Sequence, residues 1–218
     1  MHNNDNVVCD LRKNKDQIWN EYKSKVRRNV RKAIKSDVHL KLDFEGEHID
    51  SFLKIYYETM ERRHASEKYF FKKEFFDQIH DNLKGNFVYF YAIKDNEIIS
   101  ADLVLMSDNK IYTFLSATDS NAFQYRPNDF VKHNVIKWGV SNNKDYYVLG
   151  GGYKMLDSLY SYKKSFAPEG ILPFYVGKKI YNANLYNQLV ESKEKELLEN
   201  LDVLDRDSDF FPLYRMNR

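Results

Sequence analysis

Three consecutive glycines, Gly150-Gly151-Gly152, follow an apolar stretch that ends at Leu149. Glycine admits backbone conformations closed to other residues and lets a ligand or another chain segment come close. A flexible strand-to-helix loop has the same composition. Just beyond lies Asp157-Ser158-Leu159-Tyr160-Ser161-Tyr162-Lys163-Lys164-Ser165-Phe166. On a helix Leu159, Tyr162 and Phe166 share one face, with Lys163 beside it. A lysine at such an edge could stabilise a developing oxyanion or hold a phosphate; equally, it could snorkel along the surface. Arg62 and Arg63 end a helical stretch, where they suit either an anionic ligand or the helix dipole, an effect of ~0.3–1 kcal/mol. Other signatures are absent. The chain has no phosphate-binding Gly-x-x-x-x-Gly-Lys-Ser/Thr loop, no Gly-x-Gly-x-x-Gly and no Gly-x-Ser-x-Gly. Its histidines (His2, His39, His48, His64, His80, His133) never stand at His-x-x-x-His spacing, so no metal site is expected. Cys9 is the single cysteine, which excludes an internal disulfide, and no neighbour in sequence marks it as a nucleophile.

The elements that must hold these residues can be read from periodicity. Residues 16–36 read as one amphipathic helix, with Ile18, Trp19, Tyr22, Val26, Val30, Ala33 and Ile34 on its apolar stripe. Its other faces carry Lys23, Lys25, Arg27, Arg28, Arg31, Lys32 and Lys35, with no acid from residue 22 to 36. That basic surface could engage a phosphate-rich partner or simply be a solvated face. A strand at 38–42 and helices at about 46–63 and 72–83 follow. Aromatic and β-branched runs at 86–94, 97–106 and 110–117, punctuated by Asp95-Asn96 and Asp108-Asn109, predict a three-stranded meander. Pro127 suits the first turn of a helix to about Val140. A strand at 145–149, a helix at 157–165, a strand at 171–178 and a helix at 182–201 complete the order. That order is α+β, a mixed central sheet with helices on both faces.

Composition narrows the class without naming a function. The chain has 218 residues, 43% hydrophobic and 30% charged, with Gly 8 and Pro 4, which is a packed globular composition rather than a disordered or collagenous one. Tyr 17 and Phe 15 supply a large apolar core without staples. Lys+Arg 34 against Asp+Glu 32 leaves only +2, so no global field advertises nucleic-acid binding. There is no signal-peptide pattern and no run of the ~20 apolar residues that a membrane span needs, so a cytoplasmic protein without a membrane span is expected. The expected organisation is a lead-in at 1–15, a single domain at 16–201 and an acidic tail at 202–218.

Taken together, the element order resembles the GCN5-related N-acetyltransferase (GNAT) fold of acyl-CoA N-acyltransferases. The motifs resemble its Fem-type branch, the peptidoglycan bridge aminoacyltransferases and related acyltransferases (FemAB-like). Five stretches carry the resemblance: Arg27-x-x-Val30-Arg31-Lys32-Ala33, Tyr56-x-x-Thr59-x-x-Arg62, Pro127-Asn128, Leu149-Gly150-Gly151-Gly152, and Asp157-Ser158-Leu159-x-x-Tyr162-Lys163-x-x-Phe166. The last two are the most specific, and the match runs from about Asp10 to Leu201. It implies a catalytic Lys163, an acceptor-groove Arg62 that clamps phosphate, and substrate-binding positions at Asn128, Gly151, Gly152 and Tyr162. Gly151 and Gly152 would let the donor approach, and Tyr162 would shape the pocket.

Family members usually contain two GNAT-like units. This chain resembles the second unit with its leading helix, so either the first is absent or a second subunit, or a second copy in a homodimer, completes the site. The helical arm of some members is also missing. Residues 116–126, where acetyl-CoA-dependent members carry a glycine-rich pyrophosphate loop, contain no glycine. The resemblance implies no bound cofactor and a donor that is either aminoacyl-tRNA or acyl-CoA. The expected reaction moves an acyl or aminoacyl group onto an amine of a cell-envelope precursor or a nucleotide-linked amino sugar. Asp102, Asp119 and Glu58 are candidate bases by residue type only. The alternative is a non-catalytic GNAT-like module that binds tRNA or an anionic glycan.

Overall fold

A computed structural model describes residues 2–153 and 157–216, with side chains from residue 5 onward; Met1, residues 154–156, 217 and 218 lie outside the described residues. The chain divides into two compact units, residues 4–174 and a second made of residues from Tyr175 onward with the first few of the chain.

The larger unit is built on a mixed sheet. Its strands are β1 (His2–Asp10), β2 (His39–Asp43), β3 (Phe87–Lys94), β4 (Glu97–Met106), β5 (Lys110–Thr118), β6 (Tyr146–Gly150) and β7 (Ile171–Tyr175), in the order β2-β3-β4-β5-β6-β1-β7. The meander is antiparallel, whereas β5 and β6 run parallel. Asp95 and Asn96 both take positive φ, 50° and 66°, which is the two-residue hairpin turn that Asp and Asn tolerate best.

Both faces of the meander are covered, so β3 and the inner part of β4 are buried throughout rather than alternating. On one face, α2 (Ser24–Lys35) and α5 (Pro127–Ser141) pack Val26, Val30, Val131 and Val135 against Val88, Phe90 and Val104. On the other, α3 (Ile49–Arg62) and α4 (Lys73–Asn82) pack Phe52, Tyr56, Phe76 and Ile79 against Tyr89, Tyr91 and Leu103. Ring pairs such as Phe52 with Tyr89, 5.1 Å between centroids, account for much of the aromatic content.

Two expectations need correction. The helix read across 16–36 is two: α1 (Lys15–Glu21), whose Asn14 and Gln17 form a reciprocal capping box, and α2. The chain extends at Tyr22 and Lys23, where the Lys23 N–H donates to the Ser165 carbonyl at 2.9 Å. Arg27 donates to the carbonyls of Asn20 (3.0 Å) and Tyr22, tying the corner down. Breaking there buries Tyr22, whose ring meets Phe166 edge-on at 5.4 Å. The expected lead-in, for its part, contains β1, which pairs antiparallel with β6 and buries Val7 and Cys9. Only a partner distant in sequence makes that polar stretch a strand.

In the second unit α7 (Ala183–Glu199) is capped by Asn182, whose side chain accepts from the Leu185 N–H at 3.0 Å. The stretch expected as a loose acidic tail folds back onto this helix. Arg206 forks onto Glu194 at 2.5 and 2.6 Å, and Tyr186 packs against Phe211 and Tyr214. None of the described helices is long and apolar enough to cross a membrane.

Candidate active site

β5 and β6 pair through only Lys110↔Tyr146, Ile111↔Tyr147 and Tyr112↔Val148. Beyond Tyr112 the β5 edge has no paired strand beside it among the described residues, and there a cavity of about 500 Å³ opens. Its wall takes Thr113 to Thr118 from β5, Tyr56, Thr59 and Arg62 from α3, and Asn128 and Lys132 from α5. Tyr162 and Lys163 come from α6 (Ser158–Lys164). Because α3 covers one face of the sheet and α5 the other, the cavity passes around the free edge of β5.

α6 begins at Asp157, whose carboxylate accepts the Tyr160 N–H at 2.7 Å. That cap fixes the helix so that Lys163 turns inward, and its ammonium donates to the Gly151 carbonyl at 2.7 Å. Burial pushes the Lys163 ammonium down from 10.5 to about 8; Lys132 acts in the same direction, and Asp102 and Asp157 oppose it. The lysine is thus poised between its two protonation states rather than being a fixed surface charge.

Lys132 is itself engaged. Its Nζ lies 2.5 Å from Asp102 Oδ2 and 3.0 Å from Ser116 Oγ, and both charged side chains are only 5% exposed. Tyr162 packs edge-on against Phe166, and burial pushes its phenol well above the ordinary range. Its hydroxyl is buried without a hydrogen-bond partner among the described residues.

The end of β5 is clamped from α3. Thr59 Oγ1 donates to the Thr118 carbonyl at 3.2 Å and accepts the Thr118 N–H at 3.1 Å. One turn on, Arg62 donates to the same carbonyl at 3.2 Å while its guanidinium lies 5.0 Å over the Phe123 ring. From α5, Asn128 Oδ1 accepts from the hydroxyls of Thr118 and Ser100, the latter at 3.0 Å. The Tyr56-x-x-Thr59-x-x-Arg62 pattern therefore has a direct physical reading: one face of α3 supplies the cavity wall and the strand clamp.

Lys163, Tyr162, Arg62 and Asn128 are brought together on one cavity. Gly151 enters through its carbonyl, and Gly152 follows it, half-buried; neither forms part of the cavity wall. The glycine whose backbone is special is Gly150, with φ +79°, and a Cβ there would stand 3.4 Å from Lys163 Nζ. We expect Gly150→Ala to cost about 1–2 kcal/mol from the left-handed backbone alone. A methyl 3.4 Å from Nζ is in ordinary contact, so the cost should fall on stability rather than on Lys163; urea denaturation checks it. Among the candidate bases only Asp102 lines the cavity, and it is held by Lys132. Asp119 instead caps the next turn through the Asn121 N–H at 2.8 Å, and Glu58 is exposed. Lys132 escaped the sequence reading, although an aspartate inside the apolar run at 98–106 signals a buried partner. Cys9 is buried and its thiol is pushed up to about 12, which makes it inert. Among the described residues no three His, Cys, Asp or Glu side chains converge as metal ligands would.

A mixed sheet with a cavity at the free edge of β5 is the framework of this site, and the chain belongs to the Acetyltransferase (GNAT) domain family, whose model matches residues 20–164. It is 27% identical over 194 residues to the UDP-N-acetylmuramoylpentapeptide-lysine N(6)-alanyltransferase of Weissella viridescens, an alignment covering 85% of this chain. The match covers 56% of that protein, so the chain spans about half the length of the curated relative it matches. Its fold is similar to the crystal structure of FemX, with TM-score 0.69, 17% identity, and 86% and 64% of the two chains covered. It is also similar to an aminoglycoside acetyltransferase from an uncultured soil metagenomic sample in complex with sisomicin, with TM-score 0.50, 16% identity, and 67% and 99% covered. The Fem-type resemblance carried by the motifs is borne out.

Proposed function

We propose that this chain transfers an acyl or aminoacyl group, from aminoacyl-tRNA or acyl-CoA, to an amine of a cell-envelope precursor or nucleotide-linked amino sugar. The observation that carries this reading is Lys163, half-buried, bonded to Gly151 and facing a cavity walled by α3 from one face of the sheet and by α5 from the other. The name of the Weissella relative supports the same class of acceptor, a lysine amine on a nucleotide-linked muramoyl peptide.

The acceptor amine attacks the donor carbonyl, forming the new C–N bond and a tetrahedral oxyanion. Lys163, as the ammonium, faces that oxyanion and offsets its charge. The bond from carbon to the ribose oxygen, or to the thioester sulfur, then breaks, and the proton lost by nitrogen leaves on that oxygen or sulfur. Asp102 is occupied by Lys132, so the protein contributes position and charge more than a dedicated base. Arg62, Arg63, Lys132 and Lys163 against the single carboxylate of Asp102 make the cavity cationic, which suits a diphosphate-linked acceptor clamped by Arg62. Asn128 and Tyr162 shape the wall, and Gly151 and Gly152 give the donor room. Such donors and nucleotide-linked acceptors are cytoplasmic molecules, so the reaction belongs in that compartment. A second subunit or second copy would complete the acceptor side if the longer relatives' other half is needed.

The test is incubation of the chain with UDP-linked muramoyl pentapeptide and either alanyl-tRNA or a panel of acyl-CoAs. A mass gain on the acceptor amine is expected with one donor class. Binding of acceptor and donor with no transfer, in the presence of any required partner half, would instead mark a non-catalytic module.

A further inference from the structure

In the second unit an apolar groove of about 320 Å³ lies open beside the first half of α7, lined by Ile180, Tyr181, Leu185, Leu189, Phe211 and Pro212. Leu185 and Leu189 stand one turn apart and both are exposed, and Tyr181 is 88% exposed. The rim is basic. Lys179 lies 4.8 Å over the Tyr181 ring, and Lys178 lies 5.6 Å over the Phe211 ring while donating to the Asp209 backbone carbonyl. Residues 170–190 contain no acid. A contiguous apolar surface with a polar rim is the mark of a contact site rather than of a surface meant for water.

The far end of α7 has the opposite character. The helix closes with the Leu201 N–H on the Leu198 carbonyl at 3.0 Å and the Asp202 N–H on the Leu197 carbonyl at 2.8 Å. Leu201 takes φ 58° there, in a position that ordinarily belongs to glycine. Its side chain is 97% exposed, and Val203 is exposed close by. The left-handed backbone costs a leucine strain, and its own chain buries almost none of it. Glu199 and Asp202 flank this protruding leucine in sequence.

The protrusion cannot fill the groove of its own chain, because at ~1.5 Å of rise per residue Leu201 stands about 24 Å along the axis from Leu185. A second copy laid antiparallel on α7 removes that separation. The acid-flanked Leu201 of each copy then meets the lysine-rimmed groove of the other, and a two-fold axis fills both grooves at once and closes the assembly at two chains. We propose that the groove beside α7 is a self-association surface, and that its occupant is the Leu201 protrusion of a second copy of this chain. The proposal does not rest on the acyl-transfer reading above.

The experiment is analytical ultracentrifugation of the full chain over a range of concentrations, with thermal melting as a control for folding. The expected result is a reversible monomer–dimer equilibrium that salt weakens, because the rim charges are exposed. Leu201→Gly suits the left-handed cap, so at concentrations where both are monomeric it should melt no lower than the parent. Its dimer dissociation constant should nevertheless rise about 100-fold or more, since two buried leucines are lost per dimer. Lys179→Glu and Glu199→Lys should each weaken the dimer, and the double variant, which exchanges the two charges, should restore it. A chain that stays monomeric at every concentration overturns the proposal. A dimer that Leu201→Gly leaves intact also overturns it, by placing the contact elsewhere, as do charge reversals that fail to rescue each other.

Discussion

Lys163→Met is expected to lower kcat by about 10²–10³-fold, the usual cost of removing one donor aimed at a tetrahedral oxyanion, while the fold survives undiminished. The second half follows from the direction of the lysine's shift. Its folded-state value is depressed from 10.5 to about 8 by burial first and by Lys132 next. Between those two values the unfolded chain holds a proton that the folded chain has released. Stability therefore rises with pH across that window, and the penalty is fully present below about pH 8. Methionine keeps most of the packing and removes the buried charge, so the variant should melt no lower than the parent at pH 7. Activity should move the other way. The ammonium is the working form, so kcat/KM should fall as pH rises through about 8. Lys163→Arg should retain a little activity and lose that descending limb, because a guanidinium stays charged. A fully active Lys163→Met of parental stability would sink the assignment.

That lysine was legible in sequence because the signals around it are local. Asp157 caps its own helix three residues on, and Leu159, Tyr162 and Phe166 repeat at helical spacing. The meander was legible for the same reason: Asp95-Asn96 supplies its turn within two residues, and the strands on either side are neighbours in sequence. What escaped depends on distance. β1 exists because residues 7–10 meet residues 146–150, and nothing in its polar first half announces a strand. The corner at Tyr22 depends on a carbonyl at Ser165. The choice of Gly150 over its two neighbours as the strained glycine depends on where β6 ends against α6. Periodicity describes faces; it does not say which face a remote element will claim.

Asp102→Ala should be the most damaging single change to stability, at about 3–5 kcal/mol, because it strands a buried ammonium. Lys132 would keep only Ser116 Oγ, 3.0 Å away, in a position where both charged side chains are 5% exposed. The urea midpoint should fall accordingly. The double change Asp102→Leu with Lys132→Met should recover most of the loss, since apolar side chains of similar size cost nothing to bury there. A pair that is replaceable for stability needs another reason to be present, and Lys163 supplies it. Lys132 depresses the proton affinity of Lys163 more strongly than Asp102 raises it. Removing Asp102 alone should therefore move the descending limb of kcat/KM below pH 8, whereas removing both should move it above. Opposite shifts from the single and double variants would assign the pair to tuning Lys163; identical profiles would reduce it to packing. The expected outcome is the first, because a lysine that must be charged in the transition state and still sit in a half-buried cavity needs its neighbours' charges set against each other.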